Sequence, residues 1–217
     1  MKKAFVSVVT LGTLAITCHA FAQNIDGATH LGLGTSFLSY SKSSGTVDTA
    51  LGETDIDSSS TRWGLSDEGG IQLEGGYGIN NSMVVGGLFA LGGSSTTTTL
   101  EGSNSDDESS AFNLLLAPKF DYHFSAGQPL QPFVGGAIGL VMAKTDNNGL
   151  ESSATGLGLL GRGGLRWFLA PGFSVDPALN LGFQALSGSI DSGNASYDLS
   201  GTAFTIGLSI GMSGWVK

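Results

Sequence analysis

Six charged residues, three acids and three bases, occur within stretches that otherwise hold mostly apolar and small residues. They are Glu74, Lys119, Asp121, Arg162, Arg166 and Asp176. A charge buried without a partner is very costly, so six such residues in one interior predict an interlocked network of ion pairs. Two functions are open to such a network. It is either a gate, whose exchange of partners opens a narrow path for water or ions, or a permanent plug.

Two further motifs have the composition of ligand sites. Residues 156–161 match the GxGxxG pattern, which brings a backbone close to a pyrophosphate at the start of a helix. Here the pattern continues into the alternating residues 165–169, which predict a strand and not a helix. Asp106, Asp107 and Glu108 offer oxygen ligands for calcium, but the turn glycine and the ligand spacing of a calcium loop are absent. We therefore predict no metal site and no cofactor.

The stretches that contain the charged residues alternate with a period of two. In residues 112–124 every second residue is apolar, and Lys119 and Asp121 lie between the apolar ones. Residues 173–183 and 204–212 repeat this phasing. A strand places alternate residues on opposite faces, whereas a helix would scatter them around its circumference. The phasing predicts strands with one apolar face, and it places all six charges on the other face.

The first residues direct the chain to the cell envelope. Lys2 and Lys3 precede an apolar run, and Ala20-Phe21-Ala22 follow it, which predicts a signal peptide over residues 1–22. The run is shorter than the about 20 apolar residues of a membrane-spanning helix. Strands that face lipid must close into a barrel, because the bilayer offers no partner for an open sheet edge.

Turns and loops of alternating length separate eight predicted strands. The strands are residues 29–41, 69–79, 83–93, 111–124, 132–143, 155–169, 173–186 and 197–215. Short turns at 80–82, 125–131 and 170–172 alternate with longer loops, as in outer-membrane barrels with periplasmic turns and external loops. The chain is therefore predicted to be all-β, an eight-stranded antiparallel up-and-down transmembrane β-barrel over residues 23–217.

Composition supports this prediction over its competitors. The chain has 35 Gly, which suits sharply curved strands, and its 41% hydrophobic residues argue against disorder. A soluble lipocalin-like barrel is the main structural alternative, but it would keep a polar outer face, and charges are scarce within the strands. The formal net charge is -9, with acids in the predicted external loops, among them Asp48, Glu53, Asp55 and Asp57. Nucleic-acid binding needs a basic surface and is not predicted.

Aromatic residues cluster near the predicted periplasmic ends of the strands. They are Tyr122, Phe124, Phe133, Trp167, Phe168, Phe173 and Trp215. Trp and Tyr concentrate at membrane interfaces, and outer-membrane barrels carry aromatic girdles there. We therefore predict that these residues form the periplasmic girdle.

Four features of the chain occur together: the signal peptide, the eight alternating strands, the segment Pro-Phe-Val-Gly-Gly-Ala-Ile-Gly-Leu at 132–140 after a periplasmic turn, and the final alternating strand. In this combination the chain resembles the small outer-membrane β-barrel superfamily that includes OmpA-type and OmpX-type proteins. The resemblance implies location in the cell outer membrane, contact with the lipid bilayer and lipopolysaccharide, and insertion by the outer-membrane assembly machinery. Such barrels usually end on an aromatic residue, whereas this chain ends Trp215-Val216-Lys217.

One segment is also similar to an enzyme motif. His123-Phe124-Ser125 resembles the His-x-Ser stretch of outer-membrane lipid A deacylases, in which a histidine activates a serine nucleophile. The segment lies at a predicted periplasmic turn, far from outer-leaflet lipid, and no Asp or Glu occurs between Ser125 and Asp146. We interpret His123 as a polar residue near the lower rim and Ser125 as a turn residue.

The sequence thus predicts a monomeric barrel that is not an enzyme. Its predicted role is structural or surface-interacting, with acidic external loops above a polar, plugged lumen. Two alternatives stay open. A narrow ion or small-solute channel would conduct in a manner that depends on Arg162, and a membrane-embedded lipid hydrolase would lose its activity on lipid when Ser125 is changed.

Overall fold

A computed structural model of the chain describes residues 24–49, 52–63, 70–99, 106–147, 150–191 and 195–217. These residues form nine strands, which are β1 (Thr29–Thr49), β2 (Gly52–Trp63), β3 (Ile71–Asn80), β4 (Met83–Thr99), β5 (Asp106–His123), β6 (Leu130–Asn147), β7 (Leu150–Ala170), β8 (Phe173–Asp191) and β9 (Ser196–Val216). The predicted signal peptide over residues 1–22 lies outside the described residues. In the described part of the chain, no helix is long and apolar enough to cross a membrane.

Eight of the nine strands close into an antiparallel ring. The order around the ring is β1, β3, β4, β5, β6, β7, β8 and β9, and β9 pairs with β1 to close it. The ninth strand, β2, pairs with the outer part of β1 from Leu38 to Thr49, while β3 pairs with the inner part from Thr29 to Thr35. The predicted eight-stranded antiparallel barrel is confirmed.

The strands run further than the sequence predicts, and β2 is an addition. The acids Asp48, Glu53, Asp55 and Asp57, expected in a loop, lie on β1 and β2. The prediction relied on apolar alternation, which lipid demands only inside the membrane. Beyond the membrane, water solvates a polar outward face, so backbone pairing continues without an apolar signal in the sequence.

The outward face carries a continuous apolar belt, followed by polar residues. On β9 the outward residues from Phe204 to Val216 are all exposed, and all are apolar or glycine. At about 3.3 Å per residue and a tilt of about 40°, this stretch crosses roughly 30 Å of membrane. Above it the outward residues are Thr202, Ser200 and Asp198. The upper parts of the strands therefore project beyond the bilayer as a polar wall, called here the projecting wall.

A bulge in β1 changes which residues face inward. The pairing of β1 with β9 shifts between Ser36 and Leu38, so one extra residue enters β1. Even-numbered residues such as His30 face the interior below the bulge, and odd-numbered residues such as Ser43 face it above. The bulge keeps apolar residues on the lipid face along the whole membrane-spanning part.

The periplasmic end of the lumen is closed by apolar side chains. Phe168 and Trp215 are buried there with Ile25, Ala28 and Val84. Phe133, Phe168 and Trp215 were expected in the outward girdle, and that expectation is wrong, because each is at most 5% exposed. The reason lies in the phasing, since Trp215 has the same parity as the inward residue Ser213. The outward aromatic residues near this end are Tyr122, Phe124, Trp167 and Phe173.

Candidate functional site

Glu74 is the centre of the charged cluster in the lumen. It lies on β3, and the residue is 8% exposed. Its Oε2 atom is 2.6 Å from Lys119 Nζ and 2.6 Å from Arg162 Nη1. Its Oε1 atom is 3.6 Å from Arg166 Nη2. One carboxylate thus contacts bases from β5 and β7, which ties three separate strands together across the interior.

Asp121 is the second acid of the cluster. Its Oδ2 atom is 2.9 Å from Lys119 Nζ, and its Oδ1 atom is 3.9 Å from Arg162 Nε. The Asp121 side chain is fully buried. Lys119 and Arg162 therefore lie between two carboxylates. Their strong, hydrogen-bonded contacts are those to Glu74, and Asp121 adds a second negative charge beside them.

Asp176 and Arg166 form the third part of the cluster. Arg166 donates from Nε to Asp176 Oδ1 at 2.9 Å and from Nη2 to Oδ2 at 3.0 Å, a bidentate pair with fixed geometry. Ser213 also donates to Asp176 Oδ2, at 2.8 Å. Arg166 is fully buried. Breaking this pair would leave Arg166 with its longer contact to Glu74 and Asp176 with the Ser213 hydroxyl.

Aromatic rings and histidines surround the guanidinium groups. The Cζ atom of Arg166 lies 4.8 Å from the centre of the Trp215 ring, and that of Arg162 lies 4.9 Å from the centre of the Phe133 ring. His30 stacks on Trp215 with 4.6 Å between ring centres. Cation–π contacts gain strength where water is excluded, so these rings stabilise the bases as well as filling space.

Two glycines make room for the charged side chains. A Cβ atom at Gly76 would collide with the His30 ring, and one at Gly135 would collide with the Asp121 carboxylate. Both glycines lie on the inward face, directly beside these groups in register. Part of the high glycine content therefore serves the packing of the polar interior.

The structure brings all six sequence-predicted residues together. Glu74, Lys119, Asp121, Arg162, Arg166 and Asp176 face the lumen and contact one another through the pairs described above. We call them the lumen cluster. Its formal charges cancel, because three carboxylates face three bases. A cavity of about 20 Å³ beside Glu74, Arg162 and Asp176 has room for about one water molecule.

Sequence reasoning missed four polar or aromatic partners of the lumen cluster. His30, Ser174, Ser213 and Trp215 are all buried around it, and Trp215 Nε1 donates to Ser174 Oγ at 3.2 Å. The signal was present for Ser213 and Trp215, which share the inward parity of β9. It was present for His30 too, because His30 alternates with the outward Leu31 and Leu33.

The other sequence motifs occupy ordinary structural positions. Residues 156–161 lie within β7. The ring of His123 is buried, with Nε2 3.1 Å from Arg166 Nη1, while Ser125 lies in an exposed turn. The backbone of Asp106 to Glu108 belongs to β5. Among the described residues, no group of three His, Cys, Asp or Glu is placed to hold a metal ion.

Comparison with known proteins identifies a family and a fold. The sequence matches the family described as outer membrane protein beta-barrel domain over residues 8–211. A search of curated proteins gives no match. Among solved structures, the chain is similar to the outer membrane protein OprG from Pseudomonas aeruginosa, at 15% identity and a TM-score of 0.51, over 88% of this chain and 97% of that chain.

The chain is also similar to a second solved structure. It is Neisserial surface protein A (NspA), at 14% identity and a TM-score of 0.47, over 87% of this chain and 99% of that chain. At 15% identity, the likeness to OprG shows the fold alone. The family match spans most of the sequence and agrees with the closed ring and the apolar belt. The chain therefore belongs to the outer membrane protein β-barrel family, and it resides in the cell outer membrane, embedded in the bilayer.

Proposed function

We propose that the protein is a closed outer-membrane anchor whose projecting wall contacts molecules at the cell surface. The observation that carries this proposal is the lumen cluster, which fills the periplasmic half of the interior. An eight-stranded barrel is only just wide enough for side chains to fill it. The same arrangement favours a permanent plug rather than an open channel, because the acids and bases are already paired with one another.

The energy of the ion pairs supports closure. An ion that crosses this level must separate pairs such as Glu74 with Arg162 or Asp176 with Arg166. Removing one partner of a buried pair typically costs about 3–5 kcal/mol, since the other charge stays in the interior. A gate would need another interaction that offsets a cost of this size. The contacts of the described residues supply no such interaction.

The charge of the projecting wall supports the surface role. Eight of its outward residues with described side chains are acids, namely Asp48, Glu53, Asp55, Asp57, Asp146, Glu151, Asp191 and Asp198, against the two bases Lys42 and Lys144. Such a wall favours cationic partners and disfavours nucleic acids. Beside lipopolysaccharide it favours divalent cations that bridge its carboxylates to the phosphates.

Single-channel conductance of the refolded mature protein in planar bilayers tests the closure. The paired variant is Arg162→Ala, which removes a base that contacts two acids of the lumen cluster. The matched control is Lys144→Ala, which removes an exposed base on the projecting wall. We expect a silent wild type, a silent control and a leak in Arg162→Ala. Discrete steps in the wild type that change in Arg162→Ala would instead establish the narrow channel.

The remaining expectations complete the proposal. Residues 1–22 are a signal peptide that is removed on export, and the barrel is inserted by the outer-membrane assembly machinery as a monomer.

The protein is not an enzyme, because His123 contacts Arg166 and lies at the buried side of β5 while Ser125 is exposed in the following turn. A lipid-hydrolysis assay on the wild type and Ser125→Ala tests this last point, and activity lost only in the variant would contradict it.

A further inference from the structure

The extracellular half of the lumen contains a cavity of about 200 Å³. It lies on the concave side of β1, β7, β8 and β9. Its inward lining residues are small or apolar, namely Ser43, Gly45, Ala154, Leu186, Leu199, Gly201 and Ala203. At the level of the lumen cluster the inward positions hold Glu, Lys, Arg and aromatic residues, so the cavity exists because side-chain size falls along the strands.

Of the hydroxyl groups that border the cavity, that of Ser43 faces it, whereas those of Ser44, Ser200 and Thr202 lie on the outward face. Ser43 Oγ lies 2.7 Å from Ser58 Oγ, and Ser44 Oγ lies 3.5 Å from Thr202 Oγ1. The Ser200 hydroxyl lies 3.1 Å from Thr46 Oγ1. A well-held water molecule needs two to four polar partners, and the inward lining offers few of them. The lining therefore favours an apolar occupant over water.

The cavity is closed on its periplasmic side. Leu88, Ala117 and Val141 face inward below it and are at most 4% exposed, and the lumen cluster lies among and beneath them. A molecule in the cavity therefore has no path through the barrel. Entry and exit are from the extracellular side, so the cavity is a binding site and not a section of a channel.

We propose that this cavity binds a compact, uncharged apolar molecule that enters from outside the cell. The interior of an eight-stranded barrel is either filled by side chains or holds one small ligand, and this barrel does each in one half. A dry cavity of about 150 Å³ lined by aliphatic side chains binds benzene, so the present cavity suits a molecule of that size or a little larger. The binding is independent of the proposed surface role.

Titration with benzene tests the site. The full mature protein is refolded in lipid nanodiscs with labelled Leu methyl groups, and methyl shifts are followed by NMR. We expect saturable shifts at Leu186 and Leu199. Leu181, which is exposed on the lipid face of β8, reports benzene that merely dissolves in the bilayer. The methyl signals of the buried Leu88 verify that each sample is folded.

Two variants on opposite faces make the test specific. Ala154→Phe places a ring in the cavity, and we expect it to abolish the saturable shifts. Ala185→Phe adds the same ring on the outward face of β8 and should leave them unchanged. If Ala154→Phe does not fold, Ala203→Leu fills the cavity with a smaller side chain and should weaken binding.

Three results would overturn the proposal. In the first, the shifts at Leu186 and Leu199 rise linearly with those at Leu181, so that benzene only partitions into lipid. In the second, they stay saturable and unchanged in the filled variants. In the third, Leu199 shows contacts with lipid acyl protons before benzene is added, which would mean that a lipid chain holds the cavity.

Discussion

The two halves of the barrel place their acidic residues in opposite surroundings. In the periplasmic half, Glu74 faces inward and lies 2.6 Å from Lys119. On the projecting wall, Asp48 lies in register directly between Glu53 on β2 and Asp198 on β9. Like charges directly opposite one another destabilise a sheet, whereas water screens them at an exposed site. Opposite charges therefore face one another where water is excluded, whereas this row of acids on the projecting wall is solvated by water instead.

The apolar residues of the lumen differ in the same way. Leu88, beside the lumen cluster, is 2% exposed, while Leu199 borders a cavity and is only half-buried. The periplasmic half therefore contains the buried ion pairs of the lumen cluster together with closely packed side chains such as Leu88. The extracellular half adds backbone pairing but little side-chain packing, which leaves its inward and outward positions free to serve binding.

Glu74→Gln should give the largest effect, because it removes the centre of the lumen cluster. The neutral side chain leaves Lys119 and Arg162 facing too little negative charge in the interior. We expect a loss of about 3–5 kcal/mol in the free energy of unfolding, measured by urea titration in lipid vesicles. Glu151→Gln, the same change at an exposed site on the projecting wall, should alter it by less than about 0.5 kcal/mol. Equal losses in the two variants would contradict the comparison.

Shortening one leucine in each half tests the difference in packing. Leu88→Ala removes atoms from a closely packed site and should cost about 2–5 kcal/mol of unfolding free energy. Leu199→Ala only enlarges an existing cavity, so we expect a loss of under about 1 kcal/mol, since less contact is given up. The same urea titration measures both. A larger loss for Leu199→Ala would mean that the cavity is filled in the folded protein.

The sequence predicted the part of the fold that lipid constrains. Apolar alternation in residues such as 112–124 and 204–212 located the membrane-spanning strands and put all six charged residues on the inward face. It did not predict β2 or the upper ends of the strands, because a polar wall in water leaves no alternation to find. It also did not predict the bulge between Ser36 and Leu38, which reverses the inward parity in the upper part of β1.

The cavity lay beyond sequence reasoning for a different reason. Its lining comes from four strands, and its volume depends on which residues share a level. Ala154 and Leu199, for example, meet only because the register of β7, β8 and β9 is fixed by pairing along the whole ring. Alternation gives the face of each residue, and register gives its height in the lumen.

Asp48→Asn should give a small effect, opposite in sign to those of Glu74→Gln and the two leucine variants. It relieves repulsion from Glu53 and Asp198, so the free energy of unfolding should rise by about 0.2–1 kcal/mol at low salt. A similar row of acids crosses β6, β7 and β8, where Glu151 lies in register between Asp146 and Asp191. In that row Lys144 Nζ is 3.4 Å from the Glu151 carboxylate.

Because that lysine offsets the repulsion in its row, Glu151→Gln should stabilise the barrel less than Asp48→Asn. Urea titrations at low and high salt measure both changes in the free energy of unfolding. The increase in Asp48→Asn should vanish at about 1 M salt, because the Debye screening length is then about 3 Å. A gain that persists at high salt would show that Asp48 acts through packing or hydrogen bonding. In that case acid repulsion would not distinguish the projecting wall from the lumen cluster.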